Sequence, residues 1–198
     1  MTARSSREIL VNAQPNAASL WLAFELGCND DQIQIQAALI LREQCELPDG
    51  DYTHNVDDHR QMTVGNVTAR LCRFSGRLDL PPGYECLLNR SGTFKEALVD
   101  QCELYGDGVD VFVVEHMEIE PSHRGRGLGL TAMRGLLRTF ATGETLAAIR
   151  PLPTLPEGKT LWPAELREAQ ERLCRYWQRA GFVRFGRSEI LVRAPGQR

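Results

Sequence analysis

The sequence predicts an α+β fold in which a mixed β-sheet carries helices on both faces. Its 198 residues suffice for one domain with a sizeable core. Segments with strand alternation and segments with helical spacing follow one another along the chain, without a linker or an internal repeat. The best-defined part, Val109–Phe140, holds a strand, a glycine-rich turn and a helix in that order. Residues 1–198 are therefore predicted to form a single domain.

The first 60 residues are predicted to be mainly helical. After a polar start, Glu8–Asn12 fits a short strand. Ala17–Leu26 carries a dense apolar set that fits a short buried helix, and Gln32–Glu46 fits a second helix. The apolar face of that second helix is formed by Ile33, Ala37, Ile40 and Leu41.

A polar stretch, Asp51–Arg60, separates these helices from the next strand. Its potential metal ligands are His54, Asp57, Asp58 and His59. Nothing in their spacing brings the four side chains together, and short polar runs between elements are usually solvated loops. We expect no metal site here.

The middle of the chain is predicted to add a strand and an inserted helix. Met62–Phe74 fits one strand or a tight hairpin, and Gly76–Gly83 is a turn-rich connection. Phe94–Leu104 has helical spacing.

The central segment is predicted to build an anion site. Val109–Ile119 is rich in β-branched residues and reads as a buried strand that Pro121 ends. Three glycines follow within Arg124–Gly129, and apolar residues then recur at helical spacing as far as Phe140. Glycines let a ligand approach the backbone, and the N–H groups of a helix N-terminus favour phosphate.

Two common phosphate motifs do not fit this loop. In the dinucleotide motif the third glycine stands one residue later, and an acidic residue closes the next strand, where this chain has Arg150. The nucleoside-triphosphate loop requires Gly-Lys-Ser or Gly-Lys-Thr, which the chain lacks.

The last third of the chain predicts a strand, a helix and a closing hairpin. Thr145–Ile149 fits a short strand, and a proline-rich loop follows it. A helix is predicted from Pro163 to Gly181, because proline favours its first turn and glycine its end. Phe182–Phe185 and Glu189–Arg193 then alternate like a hairpin.

The composition is that of an ordinary soluble protein. The net charge of −3 gives no reason to expect a nucleic-acid partner. No apolar run reaches membrane-spanning length, and no signal-peptide core is present, so we expect no membrane partner. Six cysteines without C-x-x-C spacing favour reduced thiols in a cytoplasmic protein.

The central and late segments together resemble the GNAT superfamily of N-acetyltransferases. Its acyl-CoA signature, Arg/Gln-x-x-Gly-x-Gly/Ala, matches Arg124, Gly127 and Gly129. A second block, Leu173–Phe182, is similar to the late helix and Gly-Phe exit of that family. The resemblance covers Val109–Arg193, and the two blocks in order are more specific than either alone.

The resemblance implies a centrally splayed sheet and acetyl-CoA as cosubstrate, with no metal. The acyl-CoA core is expected in residues 109–193, with residues 1–60 on the acceptor side or simply covering the sheet. The pantetheine arm is expected along the main chain of Met117, Glu118 and Ile119. The pyrophosphate is expected on the loop and helix start, formed by Arg124, Gly125, Arg126, Gly127, Leu128, Gly129 and Leu130.

The resemblance also suggests candidate catalytic residues. Glu115 is expected either as the general base, with burial raising its pKa toward neutrality, or as the structural partner of an arginine. His116 and Glu118, expected on the opposite face of the strand, are reserve candidates, and proton transfer through water is a further alternative. The family's usual acid, a tyrosine four residues before the Gly-Phe glycine, is replaced by Trp177, so Tyr176 is either the acid or a packing residue.

Two functions remain open from the sequence. The first is transfer of acetyl from acetyl-CoA to a primary amine of a small molecule or peptide. The second is a CoA-binding regulatory or interaction module that has lost the chemistry. A homodimer is compatible with either function.

Overall fold

The computed structural model describes residues 4–12, 19–29, 31–44, 59–104, 108–155, 158 and 160–196. Within these residues, one mixed sheet of eight strands has the order β1-β2-β3-β4-β5-β6-β8-β7. The strands are β1 (Arg4–Asn12), β2 (Ser19–Asn29), β3 (Gln32–Gln44), β4 (His59–Cys72), β5 (Val111–Ile119), β6 (Leu146–Ile149), β7 (Val183–Arg184) and β8 (Leu191–Arg193). The helices are α1 (Glu96–Cys102), α2 (Leu128–Phe140) and α3 (Pro163–Gln178).

The α+β class with helices on both faces of a mixed sheet is confirmed. On one face, Phe112 and Val114 of β5 pack in a core cluster with residues of α2 and α3. On the other face, Val111 and Val113 pack with α1 and the loop before it. The side chains of β5 therefore alternate between two hydrophobic cores, which explains why its sequence is almost continuously apolar.

The prediction that residues 1–60 are mainly helical is wrong for the part that the structure describes. The two predicted helices, Ala17–Leu26 and Gln32–Glu46, are replaced by β2 and β3, and all of β2 pairs with residues 32–42 of β3 as an antiparallel hairpin. Burial alternates in β2, with Leu20, Leu22 and Phe24 inside. In β3 the buried residues are Ile35, Ala37, Leu39 and Leu41, a period of two that pairing with β2 and β4 reinforces.

Later elements lie close to their predicted positions. The strand predicted in Met62–Phe74 is β4, and the inserted helix is α1. Helix α2 buries the predicted apolar residues Leu130, Met133, Leu136 and Leu137. It packs closely on β1, because a Cβ atom at Gly135 would lie 2.5 Å from the Val11 side chain.

Candidate functional site

The sheet opens into a fork between β5 and β6. The two strands are parallel and pair from Val111–Leu146 to Val114–Ile149, where the pairing ends. β5 continues to Ile119 and stays paired with β4 on its other side. The backbone edge of the last five residues of β5 therefore faces a gap, as the expected central splay requires.

A β-bulge at Glu115 determines which backbone groups face this gap. Thr68 pairs with His116 and Ala69 with Val114, so Glu115 has no partner across the sheet. Beyond the bulge, the Glu120 N–H donates to the Val64 carbonyl on β4. Because the direction of backbone groups alternates along a strand, Met117 and Ile119 direct theirs into the gap.

The loop after β5 presents its backbone to solvent. Gly125 (φ +80°) and Gly127 (φ +76°) adopt the left-handed conformation, and a Cβ atom on either would meet nothing within 4 Å. Gly127 caps the start of α2. Among the described residues, no partner accepts from the N–H groups of residues 125–129. This open row of donors at a helix N-terminus suits a phosphate group.

A cavity of about 440 Å³ joins the gap to this loop. It is walled by β5, the glycine loop, residues 152–154 and one face of α3. The expected site residues that line it are Met117, Glu118, Ile119, Arg124, Gly125, Gly127, Leu128, Gly129 and Tyr176. Arg126 and Leu130 are not among the lining residues. The Leu130 side chain is in the core, and Arg126 is exposed beside His123.

Arg124 is turned back toward β5. Its Nε donates to the Ile119 carbonyl at 2.8 Å, and its Nη2 lies 3.3 Å from a Glu118 carboxylate oxygen. The guanidinium therefore ties the loop to the end of the strand, and the Ile119 carbonyl is already occupied.

Glu115 is held by an arginine, which was the structural alternative to its role as a base. Its Oε1 accepts from Arg70 Nε at 2.7 Å, and Arg70 also donates to the Gln32 side chain. Gln32 in turn donates to Asp79. The Glu115 side chain is one-quarter exposed and also lines a smaller cavity of about 140 Å³ at the closed end of the fork.

The expectation that His116 and Glu118 lie on the opposite face from Glu115 is wrong. His116 pairs with Thr68, and Arg70, two residues further along β4, shares the face of Thr68. Glu115 reaches Arg70 on that same face. The bulge shifts the alternation of side chains along β5 by one residue, so His116 and Glu118 lie on the same face as Glu115. His116 Nε2 is 3.7 Å from Glu118 Oε2.

Tyr176 and Trp177 contact different parts of the site. The Tyr176 hydroxyl accepts from the Leu130 N–H at 3.0 Å, a contact that leaves no room for a side chain at Gly129. Burial raises the Tyr176 pKa, against smaller opposing effects of that hydrogen bond and of Arg179 and Arg134, so the phenol stays protonated at neutral pH. Trp177 is 5% exposed and lines both cavities, whereas Tyr176 lines only the larger one.

Two lining features and one residue that touches the fork were missed from the sequence. Leu152–Thr154 was predicted as a stiff loop but not as a wall of the site. Arg172 lines the cavity one helical turn before Tyr176, a spacing that was visible in the sequence. Tyr84, from the connection before α1, reaches the fork from the opposite face of the sheet, and nothing local in the sequence signals this.

The described residues contain no group of three or more His, Cys, Asp and Glu side chains placed to hold a metal ion. Of the four polar residues considered above, His54, Asp57 and Asp58 lie outside the described residues and His59 begins β4. In the same part of the chain, no helix has both the length and the apolar character needed to span a membrane.

Comparison with known proteins yields only remote structural likeness. No family model matches the chain, and no curated protein sequence matches it. A tyrosine-to-phenylalanine mutant of KacT superposes with a TM-score of 0.42 at 15% identity, over 80% of this chain and 69% of the other. A KacTA–DNA complex gives 0.40 at 13% identity, over 83% and 69%. A tyrosine-to-phenylalanine mutant of the AtaT toxin gives 0.39 at 14% identity, over 80% and 66%.

One of these structures corrects an expectation about partners. The exclusion of a nucleic-acid partner is wrong, because the KacTA–DNA complex contains DNA. The net charge of −3 is a poor basis for such an exclusion, since it averages over the whole surface. A groove between the ends of α2 and α3 is lined by Arg134, Arg138, Arg179 and Arg193 and, among its described lining residues, by no carboxylate. The resemblance of this chain to the GNAT superfamily rests on the motifs of its own sequence.

Proposed function

We propose that this protein is an acyl-CoA-dependent N-acyltransferase that moves acetyl from acetyl-CoA to a primary amine. The observation that carries the proposal is the continuity between the fork and the glycine loop. One cavity joins a free strand edge, suited to an extended amide-bearing arm, to an open row of N–H donors, suited to a pyrophosphate. Coenzyme A has these two parts in this order.

Cofactor binding is assigned mainly to the backbone. The N–H groups of residues 125–129 would receive the pyrophosphate, and Arg126 and Arg172 would supply positive charge from the loop and from α3. The free backbone groups of Met117 and the N–H of Ile119 would pair with the pantetheine amides, since the Ile119 carbonyl already accepts from Arg124. Leu130, which was expected among the donors, contributes less because its N–H already binds Tyr176.

The reaction requires the amine nitrogen to attack the thioester carbonyl carbon and the C–S bond to break. We assign Glu115 as the base that takes the amine proton, directly or through water, since it lines the closed end of the fork. A free N–H on β5 would stabilise the oxyanion. The Tyr176 phenol, protonated and donating its own hydrogen to no described residue, is the candidate acid for the departing thiolate.

The acceptor is proposed to be a primary amine on a small molecule or a peptide. The helices expected to select it are absent from the described part of residues 1–60, so selection falls to the strand surface and to the loop walls of the fork. The carboxylates of Glu115 and Glu118 share one face there, paired with Arg70 and Arg124, and their oxygens would accept hydrogen bonds from the amine.

Calorimetric titration with CoA, followed by thiol release from acetyl-CoA across a panel of amines, tests the proposal. Saturable CoA binding and amine-dependent thiol release are expected. A native protein that binds no CoA would refute the acyl-CoA assignment.

A second candidate function is a CoA-binding module without chemistry. It is favoured by Trp177, which occupies the position of the family's tyrosine and cannot protonate a thiolate. Tight CoA binding with no thiol release for any amine would favour this module over the enzyme.

A further inference from the structure

The Tyr84 hydroxyl lies between the two strands at the point where the fork opens. It donates to the Val114 carbonyl on β5 at 2.9 Å and accepts from the Arg150 N–H, just past the end of β6, at 3.0 Å. Tyr84 lines neither the 440 Å³ cavity nor the smaller one at the fork. It therefore touches the strands and has no contact with the space where a ligand would lie.

The hydroxyl occupies the place of the next hydrogen bond of the sheet. The parallel ladder begins with the Leu146 N–H donating to the Asp110 carbonyl. In such a ladder the donors recur every second residue on both strands. Two steps later, the Arg150 N–H would donate directly to the Val114 carbonyl, and it is this pair of atoms that the Tyr84 hydroxyl separates.

The chain holds Tyr84 rigidly in this position. Gly83 adopts φ +91° in a tight turn that the Tyr84 N–H closes by donating to the Pro81 carbonyl. Tyr84 is 3% exposed and packs with Leu87 and Leu98 in the core cluster on the α1 face. Burial raises the pKa of its phenol, so the hydroxyl keeps the proton that it donates.

We propose that Tyr84 is a positioning residue that keeps β5 and β6 apart and so holds open the gap for the acyl-pantetheine arm. The connection between β4 and α1 then has a functional part, because it carries the residue that sets where β5 and β6 stop pairing. The expected effect on acetyl-CoA binding rests on the proposed acyl-CoA function, but the separation of β5 and β6 can be measured without a ligand. Without the hydroxyl, the Arg150 N–H and the Val114 carbonyl are free to bond directly and the fork closes by one step.

Tyr84→Phe tests both the strand separation and its effect on binding, because it keeps the ring and removes only the hydroxyl. A crystal structure of the unliganded variant should show the Arg150 nitrogen within direct hydrogen-bond distance of the Val114 oxygen. Affinity for acetyl-CoA should fall about tenfold, roughly the factor that one buried hydrogen bond is worth. Affinity for ADP, which needs only the glycine loop, should change less than about twofold.

Leu98→Ala is the matched control, since it loosens the same core cluster without touching the hydroxyl. It should lower stability and leave the ratio of the two affinities unchanged. An unchanged fork in Tyr84→Phe, an unchanged affinity ratio, or an equal change in Leu98→Ala would each overturn the inference. A native protein that binds neither ligand would instead refute the proposed function, and the variant's crystal structure would still decide whether Tyr84 holds the fork.

Discussion

Gly127 and Gly143 flank the two ends of α2 and allow a controlled test of the glycine loop. Both adopt the left-handed conformation, at φ +76° and +63°, and a Cβ atom at either would meet nothing within 4 Å. Glutamate at either position should therefore fold at a similar cost in backbone strain, about 1–2 kcal/mol. Only Gly127 lies beside the open N–H donors.

The size of the effect on binding follows from the charge. A carboxylate about 5 Å from a phosphate repels it by roughly 1–3 kcal/mol per unit charge at the effective dielectric of a protein surface. A pyrophosphate carries more than one charge, so Gly127→Glu should weaken CoA binding about 10²-fold. The stability of the unliganded variants follows the opposite trend to their CoA affinity. A negative charge is favourable at a helix N-terminus and unfavourable at its C-terminus, by about 0.3–1 kcal/mol each. Gly127→Glu should then be the more stable variant.

Calorimetric titration with CoA checks the expected loss of affinity, and urea denaturation checks the expected order of stability. Gly127→Ala, which adds strain without charge, should change CoA affinity less than about threefold. The loss caused by Gly127→Glu should shrink at high salt, as expected for charge repulsion. Equal CoA affinities in Gly127→Glu and Gly143→Glu would refute the placement of the phosphate at this end of α2.

Three further outcomes are expected. Tyr176→Phe should slow single-turnover thiol release with little change in Tm, whereas Trp177→Phe should lower the free energy of unfolding by about 1–3 kcal/mol; the reverse pattern would contradict the assignment of the acid. Glu115→Gln should reduce kcat about 10²–10⁴-fold at neutral pH, and less at high pH where the amine is already neutral; a pH–rate profile identical to that of the native protein would assign the proton transfer elsewhere. Burial raises the pKa of the Cys102 thiol from 9.0 to about 11, so the folded state favours the neutral thiol and loses this advantage as pH rises. Between pH 9 and 11 the native free energy of unfolding should therefore fall by up to about 1.4 kcal/mol per pH unit more than that of Cys102→Ala, and an identical pH dependence of the two proteins in urea denaturation would show that the thiol does not titrate on unfolding.

The sequence predicts those parts of the fold that local chemistry specifies. Helix α2 was predictable because its apolar stripe, the glycines before it and Gly143 after it agree with one another. The glycine loop was predictable for the same reason. In β3, by contrast, Ile33, Ala37 and Ile40 satisfy a helical period, while the alternation of glutamine and isoleucine satisfies a strand. Pairing with β2 and β4 decides between the two, and no local pattern contains that information.

The candidate site was predictable where it depends on spacing and unpredictable where it depends on a change of register. The spacing from Arg124 located Met117 and Ile119, but the bulge at Glu115 altered which side chains share a face. A bulge is a mismatch between two strands, so β5 alone cannot reveal it. The partners of Glu115 and of the Tyr176 hydroxyl are similarly distant in sequence, by 45 and 46 residues.

The arrangement of β1 to β4 has a consequence for the order of folding. These four strands each pair with the next one along the chain, and the β2–β3 connection is as short as Asn29 to Gln32. Contacts between neighbours in sequence close small loops, so they form faster than the crossover pairing of β5 with β6. A newly made chain should therefore form the β1–β4 part of its sheet before it pairs β5 with β6. In pulsed hydrogen exchange, amides of β2 and β3 should be protected earlier than those of β6, and simultaneous protection would argue against this order.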